Sequence, residues 1–404
     1  MKYYLCLALF TVTFTVKAQI IGGCTDLQAT NYNSNATFND GSCLYSDNAI
    51  SNIESHQLAN QLKDTSGFAY FNNQLYTLND DSQKRLYVLD TLHGAILDSV
   101  EIDHVVNVDW EDIHVENTNF YVGDFGNNVS GNRTNLRIFK WNANDHNTGV
   151  FEIDTINFSY QNQTDFTAQA SNTTAFDCEA FIVIEDSIYL FTKRWNDTRS
   201  FLYVLPNSAG THVAQLRDSL NVDGLVTGAT YEAQRNHVVL CGYSALLQPF
   251  VYLLYDYPHN DFFKGNKRKV NLDLFMHQVE AITHDGNMNY YLSNEYTQIS
   301  VLPAKEAKLH KIKLASYFTN SIPNDPNTGI NENEKSTITI YPNPSSDILY
   351  ISETINGYVL IDLNGKILMQ EKGNVNYVDL GSLAVGVYYL LINGESKPYT
   401  IVKN

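Results

Sequence analysis

Charged residues are scarce in this chain, and basic residues are the scarcer sign. Only 17% of its 404 residues are charged, and 44 acidic against 26 basic side chains give a formal net charge of -18. Nucleic-acid binding needs a basic face, and docking on an anionic membrane surface needs one as well. The composition therefore argues against both classes and is compatible with cation binding.

Familiar catalytic motifs are also lacking. The sequence has no Gly-x-Ser-x-Gly elbow, no His-Glu-x-x-His zinc motif and no Cys-x-x-Cys pair. His277 precedes Glu280 by three residues and could act as a general base. A histidine that is satisfied by neighbouring protein groups is the commoner case, so catalysis is the lesser hypothesis.

Long apolar runs are confined to the N-terminus. Lys2 precedes the stretch "YYLCLALFTVTFTV", and Val16 and Ala18 meet the small-residue rule for cleavage. This pattern predicts a signal peptide over residues 1–18, which is too short for a transmembrane helix. No later segment is apolar enough to span a bilayer, so we expect an exported protein with no transmembrane segment after signal cleavage.

Cysteines number five, and Cys6 lies in the predicted signal peptide. In an exported protein we expect Cys24 and Cys43 to form a disulfide. Cys178 and Cys241 lie within apolar strand patterns. Buried free thiols are favoured for both, and a second disulfide is the alternative.

Aromatic residues are abundant, and the 27 tyrosines and 20 phenylalanines predict strands. Residues 51–320 repeat one pattern five times, and the first strands read "SGFAYF", "EDIHVE", "EAFIVI", "TGATYE" and "EAITHD". Four short strands per repeat predict an all-β fold, a β-propeller of five blades. A sixth, degenerate blade is the alternative. The stretch "IESHQLANQL" is expected to supply the outer strand of the last blade and close the ring.

The flanking regions differ in composition. Residues 19–50 form a leader rich in Asn, Asp, Gly and Ser, which predicts turns pinned by the cysteine pair. Residues 321–336 are predicted to be a linker. Residues 337–404 alternate in hydropathy and contain an Asn364-Gly365 hairpin signal. About seven short strands there predict a small Ig-like β-sandwich.

The last region also contains a specific set of motifs. The stretches "YPNPSSDILYI", "IDLNGKIL" and "LGSLAVGVYYLLI" precede a final strand that contains Lys403. In combination they resemble the type A C-terminal sorting domain of type IX secretion cargo. The resemblance implies recognition by the type IX translocon of a Gram-negative bacterium, after the chain has reached the periplasm. It implies a protein that is secreted or held on the outer cell surface.

The leader stretch "GCTDLQATNYNSNATFNDGSCLY" resembles a short cysteine-bounded repeat of secreted bacterial proteins. Its side-chain oxygens could ligate calcium, but Asp26 and Asp40 are its only carboxylates, so any affinity would be weak. A disulfide-pinned spacer without metal is an equal alternative.

The central repeats resemble secreted β-propellers described as phytase-like or lactonase-like. The residues that carry this resemblance are "WEDI", "CEAF" and "VEAI", together with "GDFGNN", "TKR" and "SNE". The resemblance implies a propeller, and for some members hydrolysis of an ester, lactone or phosphoester. Fold alone does not settle that function.

The repeats also predict a polar site. The start of the first strand and the end of the second meet on one face, because the two strands run antiparallel. Glu111, Glu179 and Glu280 converge there, and like charges in a shared site raise a carboxyl pKa. Salt bridges with water, a calcium ion or catalysis could each compensate them. The second strands supply candidate ligand-binding residues: Asp80, Asp124, Lys193, Arg194, Asn294 and Glu295.

Two functions therefore remain open. The favoured one is a binding module for an unidentified surface ligand, with an acidic face that could hold calcium as its sole cofactor. The alternative is a metal-assisted hydrolase of an ester, lactone or phosphoester that uses the same carboxylates, with Glu111, Glu179, Glu280 and His277 as candidate catalytic residues.

Overall fold

A computed structural model describes residues 20–298, 304–318, 340–362, 366–392 and 399–404. The chain divides into two compact units, Met1–Asp325 and Pro326–Asn404. The predicted signal peptide, the predicted linker and the Asn364-Gly365 turn lie outside the described residues. Within these described ranges, none of the helices has the length and apolar character needed to cross a membrane.

The chain is all-β, as predicted, and it begins with four short strands in the leader and just after it. They are β1 (Gly22–Gly23), β2 (Phe38–Asn39), β3 (Ala49–Ile50) and β4 (Glu54–Gln57). Helical segments are equally short: α1 (Asp145–Thr148) and the 3-10 turns Asn60–Leu62, Phe262–Lys264 and Ala315–Tyr317.

Sixteen strands follow in four antiparallel modules of four. Module 1 contains β5 (Thr65–Phe71), β6 (Gln74–Asn79), β7 (Arg85–Leu89) and β8 (Ile96–Glu101). Module 2 contains β9 (Trp110–Glu116), β10 (Asn119–Asp124), β11 (Arg137–Asn142) and β12 (Asp154–Tyr160). Module 3 contains β13 (Asp177–Ile184), β14 (Ser187–Lys193), β15 (Arg199–Pro206) and β16 (Gly210–Asn221). Module 4 contains β17 (Leu225–Glu232), β18 (His237–Tyr243), β19 (Pro249–Tyr255) and β20 (Asn266–Leu272).

Module 5 is built from both ends of the repeat region. It contains β21 (Val279–His284), β22 (Asn289–Asn294) and β23 (Lys308–Lys313), and β4 pairs antiparallel with β23 as the fourth strand. The segment after Ile53 therefore supplies the outer strand of the last module, as the sequence predicted. This pairing joins the start of the repeat region to its end.

The first strands of the modules lie side by side in a closed ring, in the order β5, β9, β13, β17, β21 and back to β5. Each pair of neighbouring modules encloses a buried apolar cluster. Between modules 1 and 2 this cluster includes Trp110 and Trp141, which are almost completely buried. The arrangement is propeller-like. Modules 2 and 3 are further joined by parallel pairing of β12 with β16 into one eight-stranded sheet that curls back on itself.

A tight turn connects the first two strands of module 1, because its residues accept positive φ. Asn72 and Asn73, between β5 and β6, have φ values of 50° and 61°. Two consecutive positive φ angles characterise the two-residue hairpin turn that matches strand twist, and asparagine tolerates them well.

The leader packs on module 4 rather than hanging free. The disulfide Cys24–Cys43 is present, and β3 extends module 4 by parallel pairing with β20. The Asp26 carboxylate accepts hydrogen bonds from the hydroxyls of Tyr45 at 2.7 Å and Tyr255 at 2.6 Å. Cys178 and Cys241 are buried free thiols, as favoured from the sequence.

The second unit contains five strands among its described residues, where the sequence predicted about seven. They are β24 (Ile340–Tyr341), β25 (Ile348–Ile361), β26 (Ile367–Asp379), β27 (Gly386–Ile392) and β28 (Tyr399–Lys403). All five belong to one hydrogen-bonded sheet. Two pairs of short strands expected from the pattern are merged into β25 and β26, which continue through irregular pairing.

The Pro-Asn-Pro motif of this unit holds its last strand. The Asn343 side chain donates to the Thr400 carbonyl at 2.7 Å and accepts from the Val402 amide at 2.8 Å. The Lys403 ammonium group is buried and donates to the carbonyl of Leu380 at 2.6 Å. The first and last motifs of this unit are therefore parts of one hydrogen-bonded structure.

Candidate functional site

All five inner strands share one irregularity, and it lies where the sequence placed the converging residues. In each module the pairing of the first two strands skips one position of the first strand, or two in module 1. The skipped residues are Ser66 with Gly67, Glu111, Glu179, Thr227 and Glu280. A β-bulge leaves its extra residue outside the ladder and re-aims the side chain. The bulges therefore turn the three glutamates toward a common space.

That space is a cavity of about 160 Å³. Glutamates Glu111, Glu179 and Glu280 line it together, as expected from the repeat pattern. The other lining residues are Thr65, Ser66, Asp80, Asn128, Asn172, Lys193, Trp195, Tyr243, Gln278 and Glu295. Asp109 and Asp177 belong to the same cluster, because their carboxylate oxygens lie within 4.8 Å of those of lining residues. We call this set of seven carboxyl groups around one space the carboxylate cavity.

Lys193 is the one basic side chain among the described residues that line the cavity. Its buried ammonium group pairs with the Glu179 carboxylate, and its charge opposes the burial that raises the pKa of Glu280. The ammonium also lies over the rings of Trp195 at 5.0 Å and Tyr243 at 5.4 Å. Burial lowers the pKa of Lys193, but the surrounding acids outweigh it and the net pKa is raised. Lys193 therefore remains a charged internal counter-ion for Glu179 and Glu280.

Asp177 is satisfied by protein donors. Its carboxylate accepts hydrogen bonds from the amide of Asn127 at 2.7 Å, the amide of Cys178 at 3.1 Å and the indole of Trp195 at 2.7 Å. The lone pairs that accept these three hydrogen bonds are not available to a further ligand. Asp177 thus acts as a fixed structural acceptor that anchors Trp195.

Glu111 is in the opposite situation. Its side chain is only 3% exposed, and Oε1 has no hydrogen-bond partner. Burial raises the pKa of Glu111 well above its usual range, and the neighbouring carboxylates of Glu179 and Asp80 raise it further. A buried acceptor without a donor costs stability unless a ligand satisfies it.

Other acids of the cavity are perturbed in the same direction. Burial is the first cause in each case, and it raises the pKa of Asp109 to about 7, that of Glu280 to about 7 and that of Glu295 to about 8. Nearby carboxylates add to the effect. Protonation of some of these groups at neutral pH therefore relieves part of the repulsion.

Four candidate residues from the sequence lie elsewhere. Asp124 is fully buried and pairs with Arg133 and Arg137, each at 2.8 Å. Arg194 turns away from the cavity to bind Asp197 at 2.7 Å. The remaining two are also engaged by protein groups: Asn294 by His310 and backbone carbonyls, and His277 by the Phe275 carbonyl. None of the four lines the carboxylate cavity, because each is held by partners within its own module or the adjoining loop.

The leader carboxylates predicted as calcium ligands have protein partners. Asp26 accepts from two tyrosine hydroxyls and, through Oδ1, from the Gln28 amide at 2.8 Å. Asp40 accepts from the Ser42 amide at 3.0 Å. The groups of closely spaced cation ligands found in the described part of the chain do not include them. The leader geometry supports the spacer alternative.

Sequence reasoning missed Asp109 and Asp177. A signal was available, since each precedes a bulge glutamate by two residues in "DWE" and "DCE". Residues two apart on a strand share a face, so the repeated Asp-x-Glu spacing points to paired carboxylates. Gln278, in "QVE", occupies the same position in module 5 and also lines the cavity.

A second cavity lies at the other end of the inner strands. Its volume is about 310 Å³, and its lining includes Tyr70, His114, Tyr231 and His284. Burial lowers the pKa of His114 to about 3, so this imidazole is neutral. The lining of this cavity also includes Glu232 and Asp285, but the seven-carboxyl cluster lies at the opposite end of the strands.

Comparison with known proteins identifies the second unit. Residues 339–403 match the family model of the secretion system C-terminal sorting domain. No curated protein matches the chain. Among solved structures, PorZ, an essential bacterial surface component of the type IX secretion system of Porphyromonas gingivalis, is 14% identical, with a TM-score of 0.32. The match covers 84% of this chain and 45% of PorZ, so the chain spans less than half of that protein.

Two further similar structures are U3-55K and the WD40 repeats of RRP9. Each is 9% identical and covers 62% of this chain, with 68% and 67% of the other chain and TM-scores of 0.32 and 0.31. Scores this low assign no function to the first unit. The sorting-domain match, by contrast, indicates that this is a protein exported by the type IX secretion system to the cell surface or beyond.

Proposed function

We propose that the first unit is a five-bladed β-propeller that works outside the cell as a binding module, and that the carboxylate cavity binds a divalent cation, with calcium favoured. One observation carries the proposal: seven carboxyl groups surround a cavity lined by a single lysine. Even with Lys193 protonated, full ionisation would leave a large negative charge in a partly buried space. A hard cation with several oxygen ligands compensates such a charge.

The blade count rests on the ring of inner strands. Five modules contribute one inner strand each, and β21 returns to β5 without a gap. Four antiparallel strands per module and closure of the last module by β4 are typical of propellers. The five-bladed alternative is therefore favoured over the six-bladed one.

Metal analysis and thermal unfolding of the full exported chain test the cation. We expect calcium to co-purify or to raise Tm on addition, and a chelator to reverse the rise, because a ligand that binds only the native state stabilises it. Glu54→Gln is a matched control, since this carboxylate is exposed and pairs with Lys311 outside the cavity. Absence of bound metal together with an unchanged Tm in calcium would refute the proposal.

Hydrolysis is the second candidate, and one observation favours it. Glu280 and Glu295 have pKa values raised to about 7 and about 8 in a cavity, which suits general acid–base chemistry. No histidine or cysteine is among the described residues that line the space, which weakens this candidate. Aryl-ester, lactone and phosphate substrates should be tested on the unaltered protein and on Glu111→Gln and Glu179→Gln. If both variants retain turnover, Glu111 and Glu179 are excluded from the mechanism.

Secretion is tested separately. The sorting-domain match and the predicted signal peptide support a route through the periplasm to the outer surface or the medium. Deletion of residues 337–404 should leave the protein in the periplasm, as shown by fractionation. Normal secretion of the truncated chain would contradict this route.

A further inference from the structure

The hydrogen bonds around the carboxylate cavity divide it into two halves. On one side, Asp177 has three protein donors, and Lys193 pairs with Glu179 and acts electrostatically on Glu280. On the other side lie Asp80, Asp109 and Glu111. No side-chain hydrogen bond satisfies Glu111 Oε1. The buried carboxyl oxygen that lacks a partner therefore lies in the second half of the cavity, where a ligand would stabilise it.

The second half has the spacing of a cation site. One carboxylate oxygen from each of Asp80, Asp109 and Glu111 lies within 4.8 Å of the other two. Calcium–oxygen distances are about 2.3–2.6 Å, so two oxygens on opposite sides of one ion are separated by about 5 Å. One ion can thus contact all three carboxylates.

The backbone holds these three residues in place. The Asp80 amide donates to the Asp64 carbonyl at 2.8 Å, and the Asp109 amide donates to Asp124 Oδ1 at 3.0 Å. Glu111 lies at the bulge of β9, where its carbonyl accepts the Ser66 hydroxyl. The backbone at all three positions is therefore held before any ion binds, which favours affinity.

Gly126 completes the floor of this half. A Cβ atom there would lie 2.0 Å from Glu111 Oε1 and 2.5 Å from Asp109 Oδ2. Real Cβ contacts are never so short, so any larger residue would displace both carboxylates. The glycine permits Glu111 and Asp109 to approach each other.

Arg133 is the nearest fixed positive charge, at 3.8 Å from Asp109 Oδ2. Its donors are directed elsewhere, to the Gly126 carbonyl at 2.7 Å and to Asp124 at 2.8 Å. Arg133 thus attenuates the negative charge without satisfying the three carboxylates by hydrogen bonds.

We propose that Asp80, Asp109 and Glu111 form a calcium site between the first two modules. This inference rests on the proposed function and specifies its ligands. The three bulge glutamates do not form the ligand set as a group, because Lys193 already pairs with Glu179 and its charge also acts on Glu280. The rival group Glu111, Asp177 and Glu179 is also close enough, but two of its members have protein partners. Asp80 is exposed, which leaves an entry path and space for water ligands.

Terbium(III) luminescence provides a direct readout on the full chain. Terbium replaces calcium, and the nearby Trp195 and Tyr243 of the cavity can sensitise its emission. We expect calcium to compete with terbium. Asp109→Asn and Glu111→Gln should each weaken calcium binding roughly 100-fold, because ligand charge sets calcium affinity. Glu295→Gln is the matched control: it removes one acid of the same cavity outside the site and should weaken binding less than about tenfold.

Two further variants protect the test against misfolding. Asp80→Asn changes an exposed side chain and should fold normally while losing most of the affinity. Gly126→Ala retains all seven carboxyl groups and should still weaken binding, since its methyl group displaces Glu111 and Asp109. Native Tm in calcium-free buffer identifies any variant that fails to fold.

The outcomes separate the two proposals. Strong loss in Glu280→Gln with little change in Asp80→Asn and Asp109→Asn would overturn this site while retaining a cation in the cavity. Failure of the unaltered protein to bind either calcium or terbium would overturn the proposed function itself. Loss in the three site variants with retention in Glu295→Gln supports both.

Discussion

Asp26 in the leader and Glu111 in the carboxylate cavity are buried to the same degree, with exposures of 2% and 3%. Asp26 accepts two tyrosine hydroxyls and a backbone amide. Burial raises the pKa of both tyrosines, so their hydroxyls stay protonated and donate. Glu111 Oε1 has no donor. The comparison shows that burial alone does not mark a functional carboxylate; the supply of donors distinguishes a structural acid from a candidate ligand.

The largest expected effect is that of replacing Lys193. Here the cavity resembles the leader, because a protein group compensates the buried carboxylate. Lys193→Met removes the partner of the buried Glu179 carboxylate, and breaking a buried ion pair in this way costs about 3–5 kcal/mol. Urea unfolding at neutral pH measures it. Lys269→Met is the control, because this lysine donates only to backbone carbonyls. Equal losses in the two variants would contradict a counter-ion role.

Asp26→Asn should show what the leader gains from its satisfied carboxylate. The amide offers one acceptor oxygen where three donors converge, so the free energy of unfolding should fall by roughly 1–3 kcal/mol. Thermal and urea unfolding measure the change. Asp40→Asn, at a solvent-accessible turn, is the matched control and should have little effect. A neutral Asp26→Asn substitution would mean that the leader is not held by this acceptor.

Glu111→Gln also replaces a buried carboxyl group by an amide. It should change the free energy of unfolding in the opposite direction. Without cation, removal of an uncompensated buried acid should raise the free energy of unfolding by about 1 kcal/mol. In calcium the variant should gain no further stability, unlike the unaltered chain. Tm with calcium and with a chelator distinguishes the cases. Destabilisation without cation would show that Glu111 has a structural role like that of Asp26.

The pH dependence should be the smallest effect. Glu280 and Glu295 have native pKa values raised to about 7 and about 8, above those of an unfolded chain. The native state therefore holds protons that the unfolded state has lost, and stability should fall as pH rises from about 5 to about 8. Tm in calcium-free buffer across this range tests it. The decline should flatten in the double variant Glu280→Gln, Glu295→Gln, and a Tm that rises with pH would contradict the assignment.

Much of the architecture could be predicted because it repeats. Alternating aromatic strands, the five first-strand motifs and the segment after Ile53 all follow from spacing in the sequence. The convergence of Glu111, Glu179 and Glu280 could be predicted for the same reason. The number of strands in the second unit was harder to predict, because β25 and β26 continue through irregular pairing where the pattern suggested breaks.

The assignment of individual partners could not be predicted. The sequence places Arg194 beside Lys193, yet Lys193 lines the cavity and Arg194 binds Asp197 in the loop after β14. Asp124 ends β10 and Asp80 directly follows β6, but of these two only Asp124 pairs with Arg133 and Arg137. Such choices depend on bulges and on residues distant in sequence. Asp109 and Asp177 could have been predicted from the Asp-x-Glu spacing.

The bulges have a consequence for how the cavity of this chain could be altered. A bulged residue contributes nothing to the strand ladder, so exchange of Ser66, Glu111, Glu179, Thr227 or Glu280 leaves the pairing of every module intact. Four of the five positions, all except Thr227, line the carboxylate cavity, so their side chains set its chemistry without taking part in the ladder. A small library at Ser66, Glu111 and Glu280, which leaves the Glu179–Lys193 ion pair in place, would test which ligands the cavity accepts.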